Sequence, residues 1–350
     1  MNGVHLDSLD GTNPLGFLAA LGVQVAFASQ SEQPRLWWSD DVTPHAVVDE
    51  GFTTDRIADQ ALRIFGEWND SAATNPRHAD GSAILRGDEL KLTSDGIRTY
   101  LSQVCAGDSG GALATALVAE GSLDKQGVAK PSDLYFTAGQ QKFLGMVRQI
   151  LGNASREDVL AGLDTPWRYE SELPSLMWDV SDDRVYALAS DDPAKERKLT
   201  NPGPEALAIL GLSLHPVFAR RDRTLTQRCA GNWKAGSYSW PLWYKPATPF
   251  SVKSLLAHAY HHPAAGDRHR WFRAWGIFRI LQSSIHRSGQ GGYGTFGPPE
   301  VTWEGMERPY EEQRGAGWKR VVESMDRLGA EALANGLTDA KLEALLADDS

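Results

Sequence analysis

The sequence predicts an α+β protein with a mixed N-terminal region, a short-stranded basic central region and a helical C-terminal region. Three observations lead there. In the first 165 residues apolar side chains recur at helical spacing in one segment after another. From Leu214 to Trp243 the segments shorten to strand length, with Gly, Asn and Asp between them. From residue 310 the chain is acidic and helical periodicity returns. The expected division is a mixed α+β domain over residues 1–200, a basic aromatic-rich α+β region over 201–305 and an acidic helical tail over 306–350.

Residues 3–7 alternate and predict a short strand. The turn Asp10-Gly-Thr-Asn13-Pro14 then opens a helix, because Asn13 suits the N-cap and Pro14 the first helical position. Leu15, Leu18, Leu21 and Val25 form its apolar stripe. Gly16 and Gly22 weaken that helix in isolation and become useful where another backbone packs close. Arg35–Ser39 and Ala46–Val48 predict short strands, and Thr54–Trp68 an amphipathic helix with Ile57, Ala61, Ile64 and Phe65 on one face. A long polar loop is expected over 69–92, helices near 93–105 and 110–120, a loop over 126–132 and a helix over Thr137–Leu151. Ser155 and Asp158 have the spacing of a capping box. Leu176–Leu188 reads as strand and turn, 191–201 as a polar linker and 205–212 as a helix. Short strands lead to Trp243, and a helix is expected over Ser251–His261. Trp271–His286 fits either a long strand or a helix, and Ser288–Gly297 reads as a mobile glycine-rich loop. In the tail, Trp318, Val321, Val322, Met325 and Leu328 share one helical face. Leu15–Phe27 and Ala206–Phe218 resemble each other, either as a duplicated unit or as two similar buried helices.

With 350 residues, 41% of them hydrophobic and 23% charged, the chain supports a sizeable core, and disorder is excluded as its main state. Cys105 and Cys229 lie far apart with no CxxC pair, which excludes a disulfide scaffold, disfavours a cysteine zinc site and fits a reducing cytoplasm. The longest apolar run, Pro14–Ala28, is shorter than the roughly 20 residues a membrane span requires. Asp7 and Asp10 stand where a signal peptide carries basic residues. A cytoplasmic protein without membrane contact or cofactor is expected. The net charge of −10 argues against a surface coated by nucleic acid, but residues 200–290 alone carry +9 and leave −19 to the remainder. Trp233, Trp240, Trp243, Trp271 and Trp275 fall in that basic segment. Such a stretch either binds nucleic acid through phosphate contacts and base stacking, or forms a twisted sheet with an aromatic core face and a solvated basic face.

Cys105-Ala-Gly-Asp-Ser109-Gly-Gly111 resembles the nucleophile segment of chymotrypsin-like proteases, but no suitable His and Asp partners precede it. Its helical flanks favour Asp108 as an N-cap. His258, His261, His262 and His269 have metal-like spacing, yet Pro263 ends the helix and histidines at a helix C-terminus offset its dipole without any metal. No P-loop is present, no GxGxxG is expected after a strand, and the glycine-rich Gly289–Gly297 follows a basic segment and precedes Pro298-Pro299. The candidates for phosphate contact are Arg220, Arg221, Arg223, Arg228, Lys234 and Arg270. Gln140, Gln141, Lys142 and Asn232 are candidates for a base or RNA contact, since amides read base edges and helix starts favour phosphate. Tyr238, Tyr293 and Phe296 are candidates for stacking or wedging.

Asp10-Gly-Thr-Asn13-Pro14-Leu-Gly-Phe-Leu-Ala-Ala-Leu-Gly22 resembles the opening of proteins encoded with type I-G (formerly I-U) CRISPR systems, in the large-subunit-like family and the related helicase–nuclease-extension family. Phe136–Phe143, Trp178–Leu188 and Tyr238–Trp243 fit the same resemblance in the same order, covering much of residues 1–260. The resemblance implies a non-catalytic subunit of an RNA-guided surveillance complex (Cascade), a ribonucleoprotein of antiviral defence. Its partners would be CRISPR RNA, target DNA, other Cas subunits and the Cas helicase–nuclease. Two other readings stand beside it: an adaptor that docks the Cas nuclease without touching nucleic acid, and a hydrolase using Ser109 or a histidine metal site.

Overall fold

Asn13 and Pro14 open the first helix as their chemistry dictates: the Asn13 side chain accepts the Leu15 N–H at 3.0 Å, and Pro14 takes the first turn. The computed structural model describes residues 3–305 except 78–81, 83–89, 91, 106–109, 122, 138–141, 181–198, 221–222, 234, 259–267 and 288–293. In chain order its elements are β1 (Val4–Asp10), α1 (Pro14–Ala26), β2 (Leu36–Trp38), β3 (His45–Val48), α2 (Thr54–Asn69), α3 (Ser94–Cys105), α4 (Gly111–Leu117), α5 (Phe143–Asn153) and α6 (Arg156–Asp164). There follow α7 (Pro202–Leu212), β4 (Val217–Arg220), β5 (Arg223–Thr226), β6 (Cys229–Asn232), β7 (Ala235–Trp243), α8 (Pro249–Ala257), α9 (Arg268–Ala274), β8 (Ile277–Arg287), β9 (Gly294–Phe296) and β10 (Glu300–Glu304). The expected α+β class is what the chain adopts.

Every strand pairing among the described residues is antiparallel, as the short connections favour. One sheet has the order β1-β3-β2 and another the order β10-β8-β7-β6, while β4 and β5 form a separate ribbon. The far edge of β8 is shared end to end: β10 pairs with residues 279–282 and β9 with residues 285–287. Leu36 and Ala247 exchange backbone hydrogen bonds of 3.0 and 2.9 Å, tying β2 to the chain just after β7. Over that junction Phe17 lies 5.7 Å from Trp38, 6.1 Å from Trp240 and 6.3 Å from Trp243, ring centre to ring centre. The Trp240 and Trp243 indoles donate to the carbonyls of Gly11 and Leu36, so their polar edges are paired inside the core.

Helices α1 and α7 pack against each other in the core of the Met1–Glu304 unit and are buried almost throughout. They touch backbone to backbone. A Cβ on Gly22 would stand 1.9 Å from the Leu207 carbonyl oxygen, and one on Gly211 would stand 1.9 Å from that of Leu18. This is the close approach that the glycines of α1 foreshadow. Both helices begin Thr-Asn-Pro, but the Asn201 side chain, at the N-cap position of α7, does not cap it: its oxygen accepts from the N–H groups of Arg168 and Tyr169 instead. Residues Met1–Glu304 form one compact unit, so the change of sequence character at residue 200 falls inside it.

Most boundaries follow the sequence to within a few residues, and the Ser155–Asp158 capping box is present. Several do not. Helix α5 starts at Phe143 rather than Thr137, at the first residue of its buried stripe. Gly110 holds the N-cap position of α4, the expected cap Asp108 lies outside the described residues, and a Cβ on Gly111 would meet the Val104 carbonyl oxygen at 2.9 Å. Residues 176–180 are not a strand, Met177 at φ 66° breaking extended geometry there, and the remainder of that expected segment, 181–188, lies outside the described residues. Trp271–His286 is both alternatives in sequence, the end of α9 and most of β8, divided by Gly276 at φ 80°. Part of the expected glycine-rich loop is strand β9. The described C-terminal stretch, residues 277–304, is mainly strand; the helical tail over 306–350 lies outside the described residues.

Candidate nucleic-acid interface

The loop of residues 130–136 is the mounting point for the basic region. On one side it holds the β4–β5 ribbon: Thr224 donates to the Lys130 carbonyl at 2.7 Å, the Asp133 N–H donates to Thr226 Oγ1 at 2.6 Å, and the Thr226 N–H returns to Asp133 Oδ2 at 3.2 Å. On the other side Arg287, at the end of β8, donates to the carbonyls of Asp133 at 2.6 Å and Tyr135 at 2.9 Å. The Gly294 N–H donates to the Phe136 carbonyl, which brings in β9, and the Tyr135 ring lies 5.2 Å from Phe143 at the start of α5. Segments near residues 135, 143, 225, 287 and 294 therefore meet around one loop.

Trp233, at the turn between β6 and β7, lies over Arg287 with the guanidinium carbon 3.6 Å from the ring centre. Phe136 flanks the same guanidinium at 5.3 Å. Burial pushes Arg287 down, to about 10, and the carboxylate of Asp133 partly offsets this, so it stays cationic at neutral pH. Trp233 remains 43% exposed and Phe218, on β4, 54% exposed. Arg220 and Arg223 are register partners at the turn end of the ribbon, where β4 passes into β5.

The sequence-derived candidates divide accordingly. Arg220 and Arg223 are strand positions of the β4–β5 ribbon whose side chains are not described, and Lys142 is the residue preceding α5. Asn232 closes the β6–β7 turn by accepting the Ala235 N–H at 3.1 Å. Arg221, Lys234, Gln140, Gln141 and Tyr293 lie outside the described residues. Arg270 belongs to α9, at the opposite end of β8, whose 11 residues span about 36 Å at ~3.3 Å per residue, so it is not part of this group.

Three candidates are corrected. Arg228 is 4% exposed, with φ 72°; it points inward and donates to the carbonyls of Ser239 at 2.8 Å and His258 at 2.6 Å. It is a structural clamp rather than a phosphate contact. Tyr238 is fully buried, stacked on Trp240 at 5.2 Å, with its hydroxyl 2.9 Å from His215 Nε2. Phe296 is also fully buried, 4.9 Å from Phe136 and 5.5 Å from Tyr238. Neither ring can meet a base at the surface. His215 Nδ1 faces the Gly211 carbonyl at 3.3 Å, so the proton sits on Nδ1 and Nε2 accepts from Tyr238. Burial lowers His215 to about 3 and raises the Tyr238 phenol, keeping the pair neutral.

Sequence reading did not single out Trp233, Arg287 or Phe218 as contact residues. An aromatic at the turn position between Asn232 and Gly236 was the available signal for Trp233; nothing local marks Arg287, whose role depends on carbonyls 152 and 154 residues earlier.

Among the remaining motifs, Ser109 lies outside the described residues. His258 is the C-cap of α8 and packs 4.7 Å from Trp275, while His261 and His262 lie outside the described residues and the His269 side chain is not described. Among the described residues no three metal-ligating side chains are grouped, and no helix is long and apolar enough to cross a membrane. No family model matches the chain, and no curated protein matches it.

Proposed function

We propose that the chain is a non-catalytic, nucleic-acid-binding subunit of a type I CRISPR surveillance complex, related to the type I-G large-subunit-like proteins it resembles. The observation that carries the nucleic-acid part is the mounting of the β4–β5 arginine positions and the exposed Trp233 on the same loop. Arg220, Arg221, Arg223 and Lys234 supply phosphate contacts, and Gln140, Gln141, Lys142 and Asn232 supply contacts to base edges or an RNA handle. CRISPR RNA and target DNA are then the ligands, and the acidic remainder of the chain faces other Cas subunits or the helicase–nuclease.

The test has two parts. Co-purification with the products of neighbouring genes is expected to yield partner subunits and a discrete guide-length RNA. Replacing Arg220, Arg221 and Arg223 together by alanine is expected to weaken binding to all sequences alike and to reduce the salt slope by about one unit for each phosphate no longer neutralised. A lone protein without RNA, or an unchanged slope, refutes the reading. The adaptor reading is favoured by a separate feature, the exposed aromatics Phe250 and Trp271 on α8 and α9. It predicts a nuclease-resistant protein complex that no longer forms when those two residues are changed.

A further inference from the structure

We propose that Trp233 is a stacking platform for an unpaired nucleobase, and that the ligand of this face is single-stranded nucleic acid; the inference rests on the nucleic-acid reading above. A tryptophan at a hairpin turn ordinarily either folds into the core or moves freely. Trp233 does neither. Its one described ring contact is Arg287, 3.6 Å from the ring centre, and the indole N–H has no partner among the described residues. Arg287 is itself fixed, because two of its nitrogens are bonded to the Asp133 and Tyr135 carbonyls. Its charge thus supports the ring from beneath instead of meeting a phosphate.

The ring is in this way held at the surface with 43% of the residue exposed. Such preorganisation lowers the ordering cost of binding. A ring with a cation on one face and exposed surface elsewhere suits a flat aromatic partner. The β4–β5 ribbon, anchored to the same loop through Thr224 and Thr226, carries Arg220 and Arg223 as register partners, and these two cations would supply the phosphate contacts beside that base. In a duplex the base faces are already stacked, so the platform selects strands with splayed bases.

The test measures binding of the full chain, alone and with its co-purified subunits, to a labelled single strand, to the same strand carrying abasic positions, and to its duplex. The expected results are a loss of about tenfold for Trp233→Ala on the intact strand, near-wild-type affinity for Trp233→Phe and an unchanged salt slope for both. The wild-type chain should lose about the same factor on the abasic strand, where Trp233→Ala has no further effect. The abasic comparison leaves the protein unaltered and so separates stacking from a folding defect. Equal affinity of wild type for intact and abasic strands, with the arginine variants still weakened, overturns the platform and leaves the nucleic-acid reading standing. Failure of the wild-type chain to bind any of the three ligands overturns both.

Discussion

Exchanging glycine for alanine should have opposite consequences at two kinds of helical position, and the size of each follows from the packing. At Gly22 the new Cβ would lie 1.9 Å from the Leu207 carbonyl oxygen, whereas ordinary contact begins near 3.4 Å. The obstacle is backbone in a buried helix, so no side chain can rotate away, and α1 and α7 would have to separate by about 1.5 Å in a core that packs like a solid. Overpacking of this kind costs about 3 kcal/mol, and the better helix propensity of alanine returns about 1, leaving a net loss near 2 kcal/mol. Gly66, in the exposed face of α2, has nothing within 4 Å of its added Cβ. There the propensity acts alone, and Gly66→Ala should stabilise by about 0.5–1 kcal/mol. Urea unfolding reads both as shifts of the midpoint in opposite directions with a shared slope. Combining Gly22→Ala with Gly211→Ala should cost less than the two singly, because the first already spreads the helices that the second would spread. A Gly22→Ala midpoint at or above that of Gly66→Ala would refute the close backbone approach as a determinant of stability.

Two further outcomes concern the buried polar groups of the basic region. Arg228→Met should cost about 3 kcal/mol, since it removes the hydrogen bonds to the Ser239 and His258 carbonyls, yet leave the salt slope of binding as in wild type; a changed slope with unchanged stability would return Arg228 to the phosphate-binding set. His215 is lowered to about 3 in the fold from its ordinary 6.5, so the unfolded chain binds the proton first and stability falls as pH drops below 6.5, levelling off only near 3. Between pH 7 and pH 5 the wild type should lose about 2 kcal/mol that His215→Gln does not lose, measured by unfolding midpoints at each pH; parallel losses in the two proteins would sink the assignment.

The parts of this fold that were legible in the sequence are those governed by neighbours along the chain. Asn13-Pro14 marks the start of α1, Ser155 and Asp158 mark that of α6, and the stripes of α2 and α5 name their buried faces. The site was less legible, for a reason visible in β7. Its last six residues are all buried, so both faces are covered and alternation no longer tells inside from outside. Tyr238 and Trp240 therefore read like surface aromatics of a basic strand, although they are core. Arg228 misled in the same way, because a local count of charge cannot anticipate that two carbonyls, 11 and 30 residues away, wait for it inside. Conversely, Arg287 and Trp233 gain their relation only from the return of β8 against the hairpin and the loop before α5.

The glycine contact between α1 and α7 also sets a timetable for synthesis. Helix α1 is apolar on every side and finds its partner only when α7 has been made. The roughly 190 residues from Ala26 to Leu212 occupy the ribosome for about 10–40 s at 5–20 residues per second. Throughout that interval the first helix of the chain has no complete burial site, and it is a ready ligand for a chaperone or for another nascent copy. A product that stops short of α7 lacks the helix against which α1 packs, so α1 stays without that burial site.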